Sequence, residues 1–195
     1  TKNACLFGQI DCSSANTAGG LYPGNVHYVY LLAGRGSLPD VAGLQCGIMY
    51  DANCAENIND GSAIDIFTWT LCGNLEFTGG GERTWPEPGS GNRITWDSIN
   101  SCQTGVSTVA GYFYVGAYNP DRLQIIPRPV DGIAAVANCV SQYYALNNQE
   151  LGSAEFSGGA SVAGGNPCVQ NCPEPVIPPP ATCFAPPTPK ILLHI

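Results

Sequence analysis

A chain of 195 residues and 20.4 kDa has room for one all-β domain with a proper core. Only 11% of it is charged, fifteen Asp and Glu against seven Lys and Arg, and the net charge of −8 excludes nucleic acid and an anionic membrane surface as partners. Twenty-four Gly and sixteen Pro interrupt every long helical register, and no apolar run reaches the roughly 18 residues of a membrane helix.

Residues 26–32 (VHYVYLL) open a series of short β-branched and aromatic runs. Residues 41–50 (VAGLQCGIMY) come next, then 63–71 (AIDIFTWTL). Strict alternation in the latter sets Ile64, Ile66, Thr68 and Thr70 on one face and Asp65, Phe67 and Trp69 on the other. Further runs are 93–96, 106–115 (VSTVAGYFYV), 123–126 and 133–140. Turn chemistry separates them: Gly79, Gly80 and Gly81, residues 86–91, Asn119 with Pro120 and Asp121, and Asp131 with Gly132. Residues 141–151 read as a short helix or turn. Short strands at this spacing predict an antiparallel β-sandwich, jelly-roll-like, over residues 1–157.

Composition then shifts. Residues 158–172 read as a Gly/Ala/Ser-rich linker carrying Cys168 and Cys172, and 173–195 as a Pro-rich arm. The arm ends in KILLHI, where Ile191, Leu193 and Ile195 share one face of a strand. Such a strand is a sticky edge unless it is docked.

Ten cysteines set the compartment. There is no C-x-x-C and there are two His, so zinc is disfavoured and a disulfide framework is expected over Cys5, Cys12, Cys46, Cys54, Cys72, Cys102, Cys139, Cys168, Cys172 and Cys183. Seven of these lie in the body and three in the tail, so full pairing requires an odd number of body-to-tail bridges. Local candidates are Cys5 with Cys12, and Cys46 with Cys54 or Cys72. Disulfides imply an oxidising space. A start at Thr1, without Met or apolar leader, fits a secreted chain whose signal peptide has been removed.

Residues able to carry chemistry are few. His27 sits in an alternating strand pattern and reads as a sheet residue, and His194 lies one residue from the end. No G-x-S-x-G elbow is present. Glycosidases use paired carboxylates, and Asp65, Glu76, Glu82, Glu87 and Asp97 are interleaved with Trp69, Trp85 and Trp96, a mixture that sugar-binding modules share. The oxygen-rich loop 51–60, with Asp51, Asn53, Glu56, Asn57, Asn59 and Asp60, could hold calcium but lacks the EF-hand order. Tyr28 and Tyr30, and Tyr112, Phe113 and Tyr114, alternate at strand period and read as core and cross-strand packing.

Leu6 and Phe7 near Cys12, the runs 28–31 (YVYL), 41–46 (VAGLQC), 69–71 (WTL) and 112–116 (YFYVG), and Asp121 with Arg122 and Leu123 form a pattern. It resembles the uncharacterised secreted β-rich proteins of environmental bacteria, over about residues 5–157. The resemblance implies export and a β-sandwich, and carries over no catalytic residue. The tail is similar in organisation to extracellular filament subunits whose terminal arms insert as strands into their neighbours. The expected function is therefore a structural subunit of an extracellular filament or surface appendage. Its partners would be other copies of itself, joined by β-strand contacts and the arm residues Ile191, Leu193 and Ile195. No catalysis, cofactor, metal, nucleic acid or membrane insertion is expected. The alternative is a secreted carbohydrate- or calcium-binding β-sandwich module.

Overall fold

Where apolar residues recur at period two, the chain forms strands that turn one face to a shared core. The computed structural model describes Cys5 and residues 11–51, 59–81, 83–158 and 163–169. The expectations for Asn53, Cys54, Glu56, Asn57, Glu82, Cys172, Cys183, Ile191, Leu193, His194 and Ile195 lie outside the described residues. Within them the strands are β1 (Ala18–Gly19), β2 (His27–Gly34), β3 (Gly43–Met49), β4 (Ile64–Leu71), β5 (Leu75–Phe77), β6 (Gly91–Thr95), β7 (Ser107–Ala117), β8 (Asp121–Ile126), β9 (Ala134–Ala137), β10 (Tyr143–Leu146) and β11 (Ser153–Phe156).

The larger sheet runs β1-β11-β8-β3-β6-β5, with β9 also on β3 and β10 on β9; the smaller runs β2-β7-β4. Every pairing is antiparallel except β1 with β11. Leu44, Cys46, Ile48, Ile94, Leu123, Val136 and Phe156 of the larger sheet meet Leu31, Ala33, Ile64, Ile66, Phe113, Val115 and Ala117 of the smaller in one buried cluster. The fold is thus an all-β, disulfide-bearing sandwich. β3 is buried along its whole length, because β6 and β9 pair with one part of it and β8 with another.

Two sequence expectations change. In β4 the alternation is interrupted: Ile66 pairs with Val115 but Thr68 with Tyr114, so Phe67 is a bulge residue. The bulge shifts the parity of every strand residue after it. Trp69 and Leu71 therefore pack against the same core as Ile64 and Ile66, instead of facing away from it. Residues 141–151 are no helix but β10 and then one 3-10 turn, Asn148–Glu150. Tyr143 and Tyr144 favour a pleated partner, and Asn147 caps the turn by accepting from Gln149 N.

The disulfides among the described residues are Cys5–Cys72, Cys12–Cys168 and Cys102–Cys139. Cys5 thus reaches across the body to Cys72 rather than to its neighbour Cys12. Cys46 corrects the expectation of a fully paired set: it is a free, buried thiol. It sits mid-β3, 4% exposed among apolar side chains, and burial pushes its pKa up to about 12. Residues 163–169 are tied to the body as well. Ser153 N donates to Gly165 O, Gly164 N to Thr17 O, and Asn166 Nδ2 to Cys12 O.

Candidate functional site: an aromatic sheet face

The smaller sheet has an inner and an outer face. On β2, Val29, Leu31 and Ala33 pack inward; on β7, Phe113, Val115 and Ala117 do so. Alternation then turns Tyr28, Tyr30, Tyr112 and Tyr114 outward. The register sets Tyr28 opposite Tyr114 and Tyr30 opposite Tyr112. Their ring centroids lie 5.1 Å (Tyr28–Tyr114), 5.8 Å (Tyr28–Tyr112) and 6.0 Å (Tyr30–Tyr112) apart. Sequence reasoning predicts the cross-strand contact but not the side of the sheet: of the run 112–114, only Phe113 enters the core.

Three further rings extend the row. Phe67 lies 5.6 Å from Tyr114. A Cβ on Gly116 would stand 2.9 Å from two carbons of the Phe67 ring and 3.6 Å from Tyr22 Cδ2, so glycine is what lets these rings lie against the strand. Tyr22 N donates to Ala117 O at 2.7 Å, and the Tyr22 ring stands 4.7 Å from Tyr118. The rings are tilted, from 32° for Tyr28–Tyr114 to 73° for Tyr28–Tyr112, so the surface is ridged rather than flat. Burial, and then the neighbouring Tyr112 and Tyr28, raise the Tyr30 phenol above its ordinary value; burial, Asp65 and Tyr22 do the same at Tyr118. These phenols stay protonated and neutral at physiological pH. Such pairs contribute about 0.5–1.5 kcal/mol each beyond area burial, so part of the row's purpose is to hold the sheet.

The other candidates are drawn into structure. Trp85 and Trp96 are each 7% exposed, and Trp69 stacks on Phe113 at 4.6 Å, so the tryptophans are core rather than a sugar-facing surface. Glu76 accepts from Trp69 Nε1 (3.0 Å) and Asn92 Nδ2 (2.7 Å). Glu87 accepts from Thr84 N, and Asp97 from Ile99 N and Asn100 N. Buried Asp65 accepts from Asp60 N and Gly61 N. His27 Nε2–H donates to Gly20 O at 2.9 Å and its ring lies 5.4 Å from Phe156, which places it in sheet packing. At the loop expected to hold calcium, Asp51 N donates to Asp121 Oδ2, and the described chain resumes at Asn59 and Asp60. Among the described residues, three potential metal-ligand atoms converge only at Asp40, Cys102 and Cys139, where the two sulfurs are bonded to each other.

No family model matches this chain, and no curated protein does. Among solved structures, it is similar to the cohesin module from the Clostridium perfringens ATCC13124 family 33 glycoside hydrolase, at 12% identity and a TM-score of 0.44, over 73% of this chain and 98% of that one. A likeness of that degree assigns neither a family nor a function.

Proposed function

We propose that this chain is an exported, non-catalytic binding module whose ligand surface is the outer face of the smaller sheet. One observation carries the reading: outside the core, Tyr30, Tyr112, Tyr28, Tyr114 and Phe67 form an unbroken series of ring contacts, and the Tyr22–Tyr118 pair flanks it beside Gly116. Tyr28 is 40% and Tyr22 36% exposed, although both are large and amphipathic. Rings of this kind supply rigid contact area at little entropic cost, with a hydroxyl at the rim. Neutral phenols on a tilted, ridged surface suit an extended, uncharged ligand. The three disulfides among the described residues support export. The test is calorimetric titration with neutral polysaccharides and with proline-rich peptides, comparing wild type with Tyr28→Ser/Tyr114→Ser. Binding that the double variant loses while it stays folded at the titration temperature, its melting temperature lowered only by the loss of these ring pairs, is the expected result. Binding that survives the substitutions, or no binding by wild type to either ligand class, overturns the reading.

A second reading is the extracellular filament subunit. It is favoured by the smaller sheet, whose outer strands β2 and β4 pair with no further strand among the described residues. A sheet edge is where the strand expected at Ile191, Leu193 and Ile195 could add to a neighbouring copy. Electron microscopy of the purified protein tests this: dispersed single particles at every concentration would sink it.

A further inference from the structure

We propose that Tyr22 and Tyr118 form an oxidative cross-linking site, where peroxide-driven one-electron oxidation couples the two rings into a dityrosine. Such a site acts whether or not the outer sheet face binds a ligand. The placement of the other covalent ties points to it. Cys72 follows the last residue of β4, and a Cβ on Gly34, the last residue of β2, would stand 3.5 Å from Cys12 Sγ and 3.9 Å from Cys168 Sγ. Both strands run antiparallel to β7, so these bridges lie where β7 begins. Cys102 stands just before β7 and is bonded to Cys139, which places the third bridge at the same end. Tyr22 and Tyr118 stand at the opposite end, where β7 finishes, and no disulfide joins described residues there.

The geometry favours this pair over the other tyrosines. Tyr22 N donates to Ala117 O and Tyr118 N to Ala63 O, each at 2.7 Å, so both backbones are anchored. The ring centroids are 4.7 Å apart, against 5.1, 5.8 and 6.0 Å for the pairs among Tyr28, Tyr30, Tyr112 and Tyr114. Two ring radii and one carbon–carbon bond of about 1.5 Å set the centroids of a coupled pair about 4.3 Å apart, so bonding requires only a small approach. A biaryl is itself twisted, so the 53° between the ring planes does not have to be undone. Tyr22 is 36% exposed, which an external oxidant needs. The chain around Tyr22 passes from β1 in the larger sheet to β2 in the smaller, and Tyr118 begins the return from β7 to β8. The new bond would tie these two crossings together. Like a disulfide it would close a long loop of the unfolded chain, but no thiol could open it.

The step balances with hydrogen peroxide as the oxidant, in the oxidising space that disulfides imply. Each phenol loses one electron and its O–H proton, leaving a phenoxyl radical with spin on the ring carbons ortho to oxygen. One ortho carbon of each ring contributes to the new C–C bond. The hydrogen on each of those carbons then moves to the oxygen of its own ring by way of solvent, which restores both phenols. The two electrons and two protons released reduce one peroxide to two waters at a peroxidase.

The test treats the purified full-length protein with a haem peroxidase and hydrogen peroxide, then examines the monomer by mass spectrometry and dityrosine fluorescence. We expect the monomer to lose two hydrogens, with the bond mapped between the peptides carrying Tyr22 and Tyr118 and a yield unaffected by dilution. Tyr22→Phe and Tyr118→Phe keep the rings and remove the oxidisable hydroxyl, so each should cut the yield severalfold and abolish that peptide pair. Tyr143 and Tyr144 are 51% and 41% exposed and show whether the oxidant has reached the protein. A monomer without the Tyr22–Tyr118 bond, once Tyr143 or Tyr144 is oxidised, overturns the cross-linking site. So does coupling confined to Tyr28, Tyr30, Tyr112 and Tyr114, or an equal yield in the phenylalanine variants. None of these outcomes bears on ligand binding by the unoxidised protein, which the titration of wild type against Tyr28→Ser/Tyr114→Ser decides.

Discussion

Removing the Glu76 carboxylate tests whether this acidic residue is structural. Glu76 Oε2 receives two donors, Trp69 Nε1 at 3.0 Å and Asn92 Nδ2 at 2.7 Å. Asn92 is wholly buried and its Oδ1 has no partner, so no water-facing alternative exists for its amide. In Glu76→Ala both donors lose their acceptor. A buried donor left unpaired costs about 1–3 kcal/mol, with the half-buried Trp69 at the low end, so the sum is about 2–4 kcal/mol. For a chain of this length that lowers the melting temperature by about 5–15 °C. Glu76→Gln keeps an acceptor and loses only the charge assistance, so its cost should be about 1 kcal/mol. Urea denaturation followed by tryptophan fluorescence gives both values, with unchanged slopes confirming a common unfolded state. An alanine variant within about 0.5 kcal/mol of wild type would refute the reasoning, since surface substitutions do no more than that. Equal losses for Gln and Ala would show that hydrogen-bond acceptance is not what Glu76 supplies.

Burial pushes the Cys46 thiol up to about 12, so in the native protein at pH 8 the Cys46 peptide should escape iodoacetamide and become labelled only in concentrated guanidinium; native labelling would contradict its burial. Cys12→Ser/Cys168→Ser should cost about 2–4 kcal/mol, because the bridge closes a very long loop of the unfolded chain, and an unchanged denaturation midpoint would count against that. Burial also raises the Asp65 and Asp121 carboxyls above 3.8. The native state then holds their protons more tightly than the unfolded state, so their contribution is complete below 3.8 and is lost as pH rises through the raised values. Relative to wild type, Asp65→Asn and Asp121→Asn should therefore gain stability between about pH 4 and pH 7, and a pH-independent difference would refute this.

Long alternating runs make most of the sandwich legible. VHYVYLL and VSTVAGYFYV carry enough β-branched and aromatic residues to be strands on any partner, and they form β2 and β7. Shorter or more polar strands give no such signal: β5 (LEF) and β11 (SAEF) exist because β6 and β8 offer them edges. Alternation places Trp69 on the outer face because it assumes an uninterrupted pleat, and one extra residue at Phe67 reverses it. The tyrosines escape sequence reasoning for a related cause. Period two shows that Tyr28 and Tyr30 share a face but not which face is covered, and that depends on Val29, Leu31 and Ala33 meeting the opposite sheet. Cysteine pairing is beyond reach, since partners as distant as Cys5 and Cys72 become neighbours only after the sheets pack.

The Cys12–Cys168 bridge also has a mechanical consequence. A pull applied between the chain before residue 12 and the chain after residue 168 would pass through one covalent crosslink, and the sheets would lie outside the load path. While Cys5–Cys72 and Cys102–Cys139 stay closed, opening this bridge would free only residues 72–102 and 139–168, about 200 Å of contour length; reducing all three bridges would free about 500 Å. In single-molecule stretching neither length should appear before reduction. The oxidised module would behave as an inextensible link, able to keep its aromatic surface in shape while its ends are under tension.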